Sequence, residues 1–362
     1  MLQHRFNVDA SRSYGLPAEA YNSAELHVLE MERIFDHAWG FVAHASDLAG
    51  AGSFVVTEAA GREYLVVRGA DGQVRAFDNM CPVRPHPLAG GRGRTQAFRC
   101  PRHGIAVSPE GAVVRDGASR EDLGNLRSFA VERVASLVFA NPDPGAAPLA
   151  SLVPGLAAEL ENRVSRLGEL VFAARITSDF RANWKVMIDN SVECYHCDIA
   201  HPDFNGLLDL SSYRIVNHAY HASHTGGAGV ERNSAYGFDA ATNAGFAAWW
   251  VWPNLLCGPF PGRSNITIHR IVPTGPQTAR EHFDFYFLPD GPDEQEQEAI
   301  AFFRDVLRPQ DIALVESVQR GLNSRAYRDG RLMDDAVGSA MSERNIHLFH
   351  GLVLSALGEA VA

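Results

Sequence analysis

Between about residue 40 and residue 142 the chain is written in short β runs separated by glycine-bearing turns, while both flanks carry helical periodicity. Ser53-Phe54-Val55-Val56-Thr57, Tyr64-Leu65-Val66-Val67-Arg68 and Val74-Arg75-Ala76-Phe77 are such runs. Asp71-Gly72 lies between the last two, and that dipeptide supplies the positive φ that a tight hairpin turn requires. Upstream, Ala24, Leu26, Leu29, Ile34 and Phe35 recur near helical spacing and predict a helix over 18–38. Asn141-Pro142-Asp143-Pro144-Gly145 closes the β-rich region, and a linker follows to about residue 155. Beyond it the pattern predicts helices at 155–167, 181–198, 293–307, 309–320 and 341–357, with strands at 212–218, 247–252, 265–272 and 281–288. Helices and strands are segregated more than they alternate, so this part reads as α+β.

Composition narrows the function classes. Acidic side chains outnumber basic ones 43 to 32, a formal charge of −11, which argues against a nucleic-acid partner. A hydrophobic content of 46% supports folded domains rather than disorder. No apolar run reaches the roughly 18 residues of a membrane span. The first residues, Met1 to Asp9, hold no apolar export core, so a cytoplasmic location is expected. In such a compartment five cysteines read as metal ligands or core thiols rather than a disulfide framework.

The densest chemistry lies in Asn183-Trp184-Lys185 and, a few residues on, Glu193-Cys194-Tyr195-His196-Cys197 and His201-Pro202. His196 and His201 can meet at one ion if the helix loosens before Pro202. Two imidazoles and a carboxylate on one side suit Fe(II), with positions left open for dioxygen and substrate. Glu193, one helical turn before His196, is placed to orient a ligand. Cys194 and Cys197 flank His196 awkwardly for a shared zinc tetrahedron, and core packing of both thiols is the expectation.

These residues resemble the catalytic domain of Rieske non-haem iron oxygenase α subunits, in particular the branch that acts on betaines and other N-methylated amines. The resemblance covers the chain from the Glu32–Trp39 region to Val353. It implies a Rieske-like all-β module inserted in a helix-grip type α+β catalytic domain. Residues 1–40 would be the helical beginning of the catalytic domain, 41–150 the Rieske-like module and 151–362 the rest of the catalytic domain. Asp311, in Gln310-Asp311-Ile312-Ala313, falls where the family has its third iron ligand, so His196, His201 and Asp311 are the implied metal set. Glu193 is the implied bridging carboxylate, receiving electrons from the cluster of a neighbouring subunit.

A Rieske cluster takes two cysteines on one iron and two histidines on the other. The family pattern is Cys-x-His and then, further on, Cys-x-x-His. Cys81, Cys100 and His103 match it, but Val83 stands at the first histidine and has no lone pair to offer. Arg102 and Ile105 also depart from the usual aromatic residues. Either His86 supplies the missing ligand of the [2Fe–2S] cluster, or the cluster is lost. Pro85 and Pro87 on either side of His86 force a different loop path, which favours loss.

Ala247-Ala248-Trp249-Trp250-Val251-Trp252 places three tryptophans in four positions on the strand expected at 247–252. Trp249, Trp250 and Trp252 are candidates to bind a quaternary ammonium by cation–π attraction, against the alternative that they fill the core. Tyr236 and Phe238 are further pocket candidates. The expectation is O2-dependent hydroxylation and N-demethylation of a small amine at mononuclear Fe(II). Electrons would come from NAD(P)H through a separate ferredoxin or flavin reductase, because no Gly-x-Gly-x-x-Gly follows a strand. A homotrimer, or a mixed ring with a second α-type subunit, is implied. The alternative is a non-catalytic or regulatory partner subunit.

Overall fold

A strand that is apolar at consecutive positions has to be covered on both faces. Tyr64, Leu65, Val66 and Val67 are all buried, and their alternation divides them between two cores. Tyr64 and Val66 pack with Val42, Val55 and Val138, while Leu65 and Val67 pack with Phe77, Cys81, Phe98 and Cys100. The computed structural model describes residues 2–59, 61–114, 123–205, 208–228, 245–335 and 337–359. Its chain divides into two units: residues 35–151, and residues 1–34 together with 152–362.

The 35–151 unit is all β. It comprises β1 (Gly40–His44), β2 (Ser53–Ala59), β3 (Arg62–Arg68), β4 (Val74–Asp78), β5 (Arg92–Arg94), β6 (Phe98–Arg99), β7 (Ala106–Val107), β8 (Val113–Val114), β9 (Ser128–Val134) and β10 (Leu137–Asn141). One sheet has the order β1-β10-β9-β4-β3-β2-β5, and β6-β7-β8 form a second. The Asp71-Gly72 turn joins β3 to β4 as read from sequence, with Gly72 at φ 79°. Cys81 and Cys100 lie on the loops after β4 and β6 with their side chains in the core beneath β3.

The other unit mixes helices and strands. Its helices are α1 (Ala18–Asn22), α2 (Ala24–Glu30), α3 (Leu156–Arg163), α4 (Trp184–Ser191), α5 (Glu294–Phe302), α6 (Arg308–Leu322) and α7 (Arg344–Leu357), with short helical turns between. Its strands, β11 (Val171–Phe180), β12 (Leu208–Asn217), β13 (His221–Ala228), β14 (Phe246–Val251), β15 (Leu255–Gly258), β16 (Asn265–Gly275) and β17 (Thr278–Phe287), form one antiparallel sheet in the order β11-β17-β16-β15-β14-β13-β12. Alternation on β17 sends Phe283, Phe285 and Phe287 into a cluster with Phe260, Phe302 and Phe303. Phe349 of α7 meets the rings of Trp184, Trp250 and Trp252. Among the described residues no helix is long and apolar enough to cross a membrane.

Three expectations change. The helix over 18–38 is interrupted at Ser23, whose side chain caps a fresh start by accepting from Leu26 N–H. The helix over 181–198 ends at Ser191, so Glu193 and His196 do not share a helical face. Strands β11, β13 and β15 were not read from sequence. β11 is a sheet edge with half-exposed positions, and β13 is built from His-Ala-Ser-His and glycines rather than β-branched residues.

Candidate metal centre

The Asn183-Trp184-Lys185 sequence fixes the helix that leads into the site. Asn183 caps α4 by accepting from Lys185 N–H at 2.9 Å, and its amide donates to Pro276 O at 2.7 Å. Trp184 Nε1 donates to Glu30 Oε2 at 2.7 Å, and the buried Lys185 ammonium pairs with Glu30 Oε1. A buried pair of this kind is weak support for stability but penalises any other placement of the helix. At its far end, Asn190 Nδ2 donates to Asp311 Oδ1 at 3.0 Å.

The loop after α4 and the N-terminus of α6 then bring His196, His201 and Asp311 together, with one ligand atom of each within 4.8 Å of the others. The two imidazoles are held in matching tautomers. His196 Nδ1–H donates to Glu193 Oε1, and His201 Nδ1–H donates to Gln310 Oε1 at 2.8 Å. Both Nε2 atoms are therefore left for an ion, the usual arrangement around metal-ligating histidines. Glu193 reaches His196 through a non-helical turn and also accepts from the Tyr195 N–H. His201 Nε2 lies 3.1 Å from Asp311 Oδ1, the separation of two atoms about 2.1 Å from one ion at roughly a right angle. The set fits a mononuclear Fe(II) with open positions.

Arg308 completes the charge balance. Its guanidinium pairs with Asp311 Oδ2 and Glu281 Oε2. Burial of Asp311 opposes ionisation, but the Arg308 guanidinium beside it brings its carboxyl down to about 2. Asp311 is thus ionised and ready to ligate.

His196, His201 and Asp311 form one wall of a cavity of about 170 Å³. Phe204, Tyr213, Phe246, Phe260 and Phe303 supply its aromatic lining. The tryptophan expectation is corrected here. Trp249, Trp250 and Trp252 do not line this cavity: Trp249 Nε1 donates to Glu159 Oε2 at 2.8 Å, and Trp250 and Trp252 pack against Phe349. The start of β14, Phe246 to Ala248, faces the cavity, and the tryptophans lie further along the strand. Tyr236 and Phe238 lie outside the described residues. Cys194 and Cys197 are buried in an apolar cluster as expected, but they are bonded to each other as a disulfide rather than left as thiols.

In the β unit Cys81, Cys100 and His103 converge, with His103 Nδ1 3.5 Å from each sulfur. Val83 packs against the apolar cluster that contains both cysteines. His86 stands outside the group, its Nδ1–H donating to Pro87 O at 2.8 Å. The backbone explains this: Cys81 N–H donates to His86 O at 2.9 Å, closing the loop with the ring turned toward its own neighbour. These residues do not fit a Rieske cluster, which needs a second histidine.

Sequence reasoning also missed a third group, Glu159, His218 and His221. The two imidazoles are stacked 4.1 Å apart and within 3° of parallel, so their in-plane lone pairs do not converge on one ion. Arg308, Asn190 and Gln310 were missed too, since no local pattern marks a residue whose task is to hold another in place.

Comparison with known proteins extends these observations. Residues 167–359 match the model for the ring hydroxylating alpha subunit catalytic domain, and residues 38–130 match the Rieske [2Fe-2S] domain. The carnitine monooxygenase oxygenase subunit of Escherichia coli K12 is 34% identical, over 98% of this chain and 96% of its own. A chloroplastic choline monooxygenase of Amaranthus tricolor is 26% identical, over 96% of this chain and 79% of its own. The crystal structure of the quaternary ammonium Rieske monooxygenase CntA with an inhibitor superposes with a TM-score of 0.91 at 32% identity, covering 98% of this chain and 99% of that one.

Proposed function

Because the chain belongs to the Rieske non-haem iron oxygenases as an α subunit, we propose that it hydroxylates a carbon next to the nitrogen of a small quaternary or N-methylated amine. Enzymes of this family are oxidoreductases that need substrate, dioxygen and electron-transfer partners, and the two domain matches imply a mononuclear iron and a Rieske cluster. The observation that carries the reading is the convergence of His196, His201 and Asp311 on an aromatic-lined cavity.

His196, His201 and Asp311 would hold the ion, and iron there would supply reductive activation of dioxygen. Glu193 and Gln310 keep each imidazole in the tautomer that presents Nε2. Arg308 keeps Asp311 ionised, and Asn190 fixes its Oδ1. The cavity aromatics offer faces to a cation and exclude water from the carbon under attack. Insertion of oxygen into an N-methyl C–H bond gives a carbinol. Its C–N bond then breaks with the electron pair passing to nitrogen while the hydroxyl proton is lost, releasing formaldehyde, the demethylated amine and, from a quaternary nitrogen, a proton to solvent. The names of the relatives, carnitine and choline monooxygenase, direct attention to quaternary substrates.

Val83 leaves the chain's own cluster ligands incomplete, so no electron step is assigned to them. Electrons would come from outside the chain, through a reductase and a complete cluster on another α-type subunit in a ring, with Glu193 at the entry to the iron. A regulatory partner subunit without catalysis is the second reading, and the incomplete cluster set is the observation that favours it.

Hydrogen peroxide delivers both oxygen and electrons, so it tests the iron site without any relay. Iron-loaded protein, peroxide and a panel including carnitine and choline should yield formaldehyde or another oxidised product. His196→Ala should yield none and bind no iron. Iron-loaded protein that oxidises nothing on the panel would favour the regulatory reading.

A further inference from the structure

We propose that Cys81, Cys100 and His103 hold a single zinc-type divalent ion, with a water molecule as its fourth ligand beside the exposed Arg102 and Gly104, in place of a diiron cluster, which makes the β unit a metal-tied module rather than an electron relay. The distances carry this. A tetrahedral zinc with about 2.3 Å to sulfur and about 2.0–2.1 Å to nitrogen has a sulfur-to-nitrogen edge of about 3.5–3.6 Å. Both Cys81 Sγ and Cys100 Sγ lie 3.5 Å from His103 Nδ1. In a Rieske centre the cysteines and the histidines bind different irons with sulfides between them. A sulfur and a nitrogen on opposite irons cannot approach to one coordination edge, so the observed triangle is too small to enclose the cluster and the right size for one ion.

The surrounding backbone supports the same reading. Cys81 N–H donates to His86 O at 2.9 Å, and Cys100 N–H donates to Ile105 O at 2.8 Å. Gly104 N–H returns to Cys100 O at 2.9 Å, with Gly104 at φ 70°. Each thiol therefore sits on a short closed loop, and an ion bound to both cross-ties the loops as a cluster otherwise would. Val83, which occupies the place of a second histidine, is spent on packing against the cysteines' own apolar cluster. Two thiolates and one imidazole are a ligand set that selects zinc over ferrous ion, by softness and by the order of divalent affinities. Zinc has no accessible redox change, so such a module has no means of passing electrons. The inference concerns the β unit alone and does not depend on the substrate proposed for the catalytic site.

The test uses the full chain with His196→Ala added, so that the catalytic iron site cannot bind the probe. Metal analysis after anaerobic purification should find about one zinc and no acid-labile sulfide. Replacement by Co2+ should give intense tetrahedral visible bands and a near-ultraviolet thiolate-to-cobalt charge-transfer band. A histidine–carboxylate site has no thiolate and cannot produce that band. Cys100→Ser should at least halve the charge-transfer intensity. His103→Ala, which leaves both core thiols in place, should weaken cobalt binding at least tenfold while circular dichroism remains unchanged. Stoichiometric sulfide with a Rieske electron-spin signal would overturn the proposal. So would the absence of any charge-transfer band in a protein whose circular dichroism shows it to be folded.

Discussion

Two of the groups of potential metal ligands among the described residues are supported in opposite ways. His196, His201 and Asp311 are each held by a polar partner, Glu193, Gln310 and Arg308 respectively. Cys81 and Cys100 are instead set among Leu65, Val67, Phe77 and Phe98. A ligand position that faces a hydrocarbon core can pass to valine and gain packing. A ligand position tied to buried charges cannot, because its loss strands those charges. The contrast is consistent with a complete proposed iron set beside an incomplete cluster set in one chain.

The largest effect expected from this contrast is at Asp311. Asp311→Ala removes a proposed metal ligand and one of the two carboxylates facing Arg308. Iron binding and oxidation should both fall below detection. Stability should drop by less than the roughly 3–5 kcal/mol of a buried pair broken outright, because Glu281 still faces Arg308. Iron analysis and denaturant melts measure the two effects separately. A variant that still binds iron would show that Asp311 is no ligand and that the two sets do not differ as described.

Glu193 tests the support rather than the ligand. Glu193→Gln still reaches His196 but no longer accepts from Nδ1–H as a carboxylate. Iron should be retained, and turnover coupled to a reductase and a partner subunit should fall about 10–100-fold, the usual cost of disturbing a ligand's own hydrogen-bond partner. If peroxide-driven oxidation falls by much less, Glu193 acts in electron entry. Unchanged coupled turnover would remove it from the mechanism.

Legibility in the sequence follows the same division. The β runs 53–57, 64–68 and 74–77 were readable because their turns are marked by glycine and their apolar residues are consecutive. The convergence of His196, His201 and Asp311 was readable only through a family pattern, since Asp311 lies far along the chain from His196 and no periodicity links them. The substrate wall was not readable. Phe204, Tyr213, Phe246, Phe260 and Phe303 come from separated segments, and each looks like an ordinary core residue in its local sequence. The tryptophan run drew attention by its density, but that density fills the space beneath α7.

A smaller effect concerns acid. Burial lowers the pKa of His221 from 6.5 to about 4, with His218 adding to it, and burial does the same to His224. Neutral His224 accepts from the Tyr213 hydroxyl at 2.8 Å and donates to Asn345 Oδ1 at 2.9 Å. Protonation favours the unfolded chain, where both groups titrate near 6.5. Stability of the catalytic unit should therefore be intact above that pH and decline as pH falls from 6.5 toward about 4. Thermal melts across that window, followed by tryptophan fluorescence, measure it. His224→Gln should flatten the decline, and an unchanged slope would show that His224 is not among the groups responsible.

The smallest expected effect is also the most direct attack on the contrast. Val83→His restores the fourth ligand type at the position where the family pattern has it. If the incomplete set reflects only a missing side chain, the variant should acquire acid-labile sulfide and the visible absorption of a [2Fe–2S] cluster. Occupancy should be partial, because the loops are closed around a triangle sized for one ion and Arg102 and Ile105 also depart from the family pattern. Loss of valine from the apolar cluster should cost on the order of 1 kcal/mol, which would lower the occupancy further. Adding Arg102→Tyr and Ile105→Trp should raise sulfide content above that of Val83→His alone. If neither variant gains sulfide after anaerobic reconstitution while the β unit stays folded, the loop path rather than the absent histidine separates this module from a working relay.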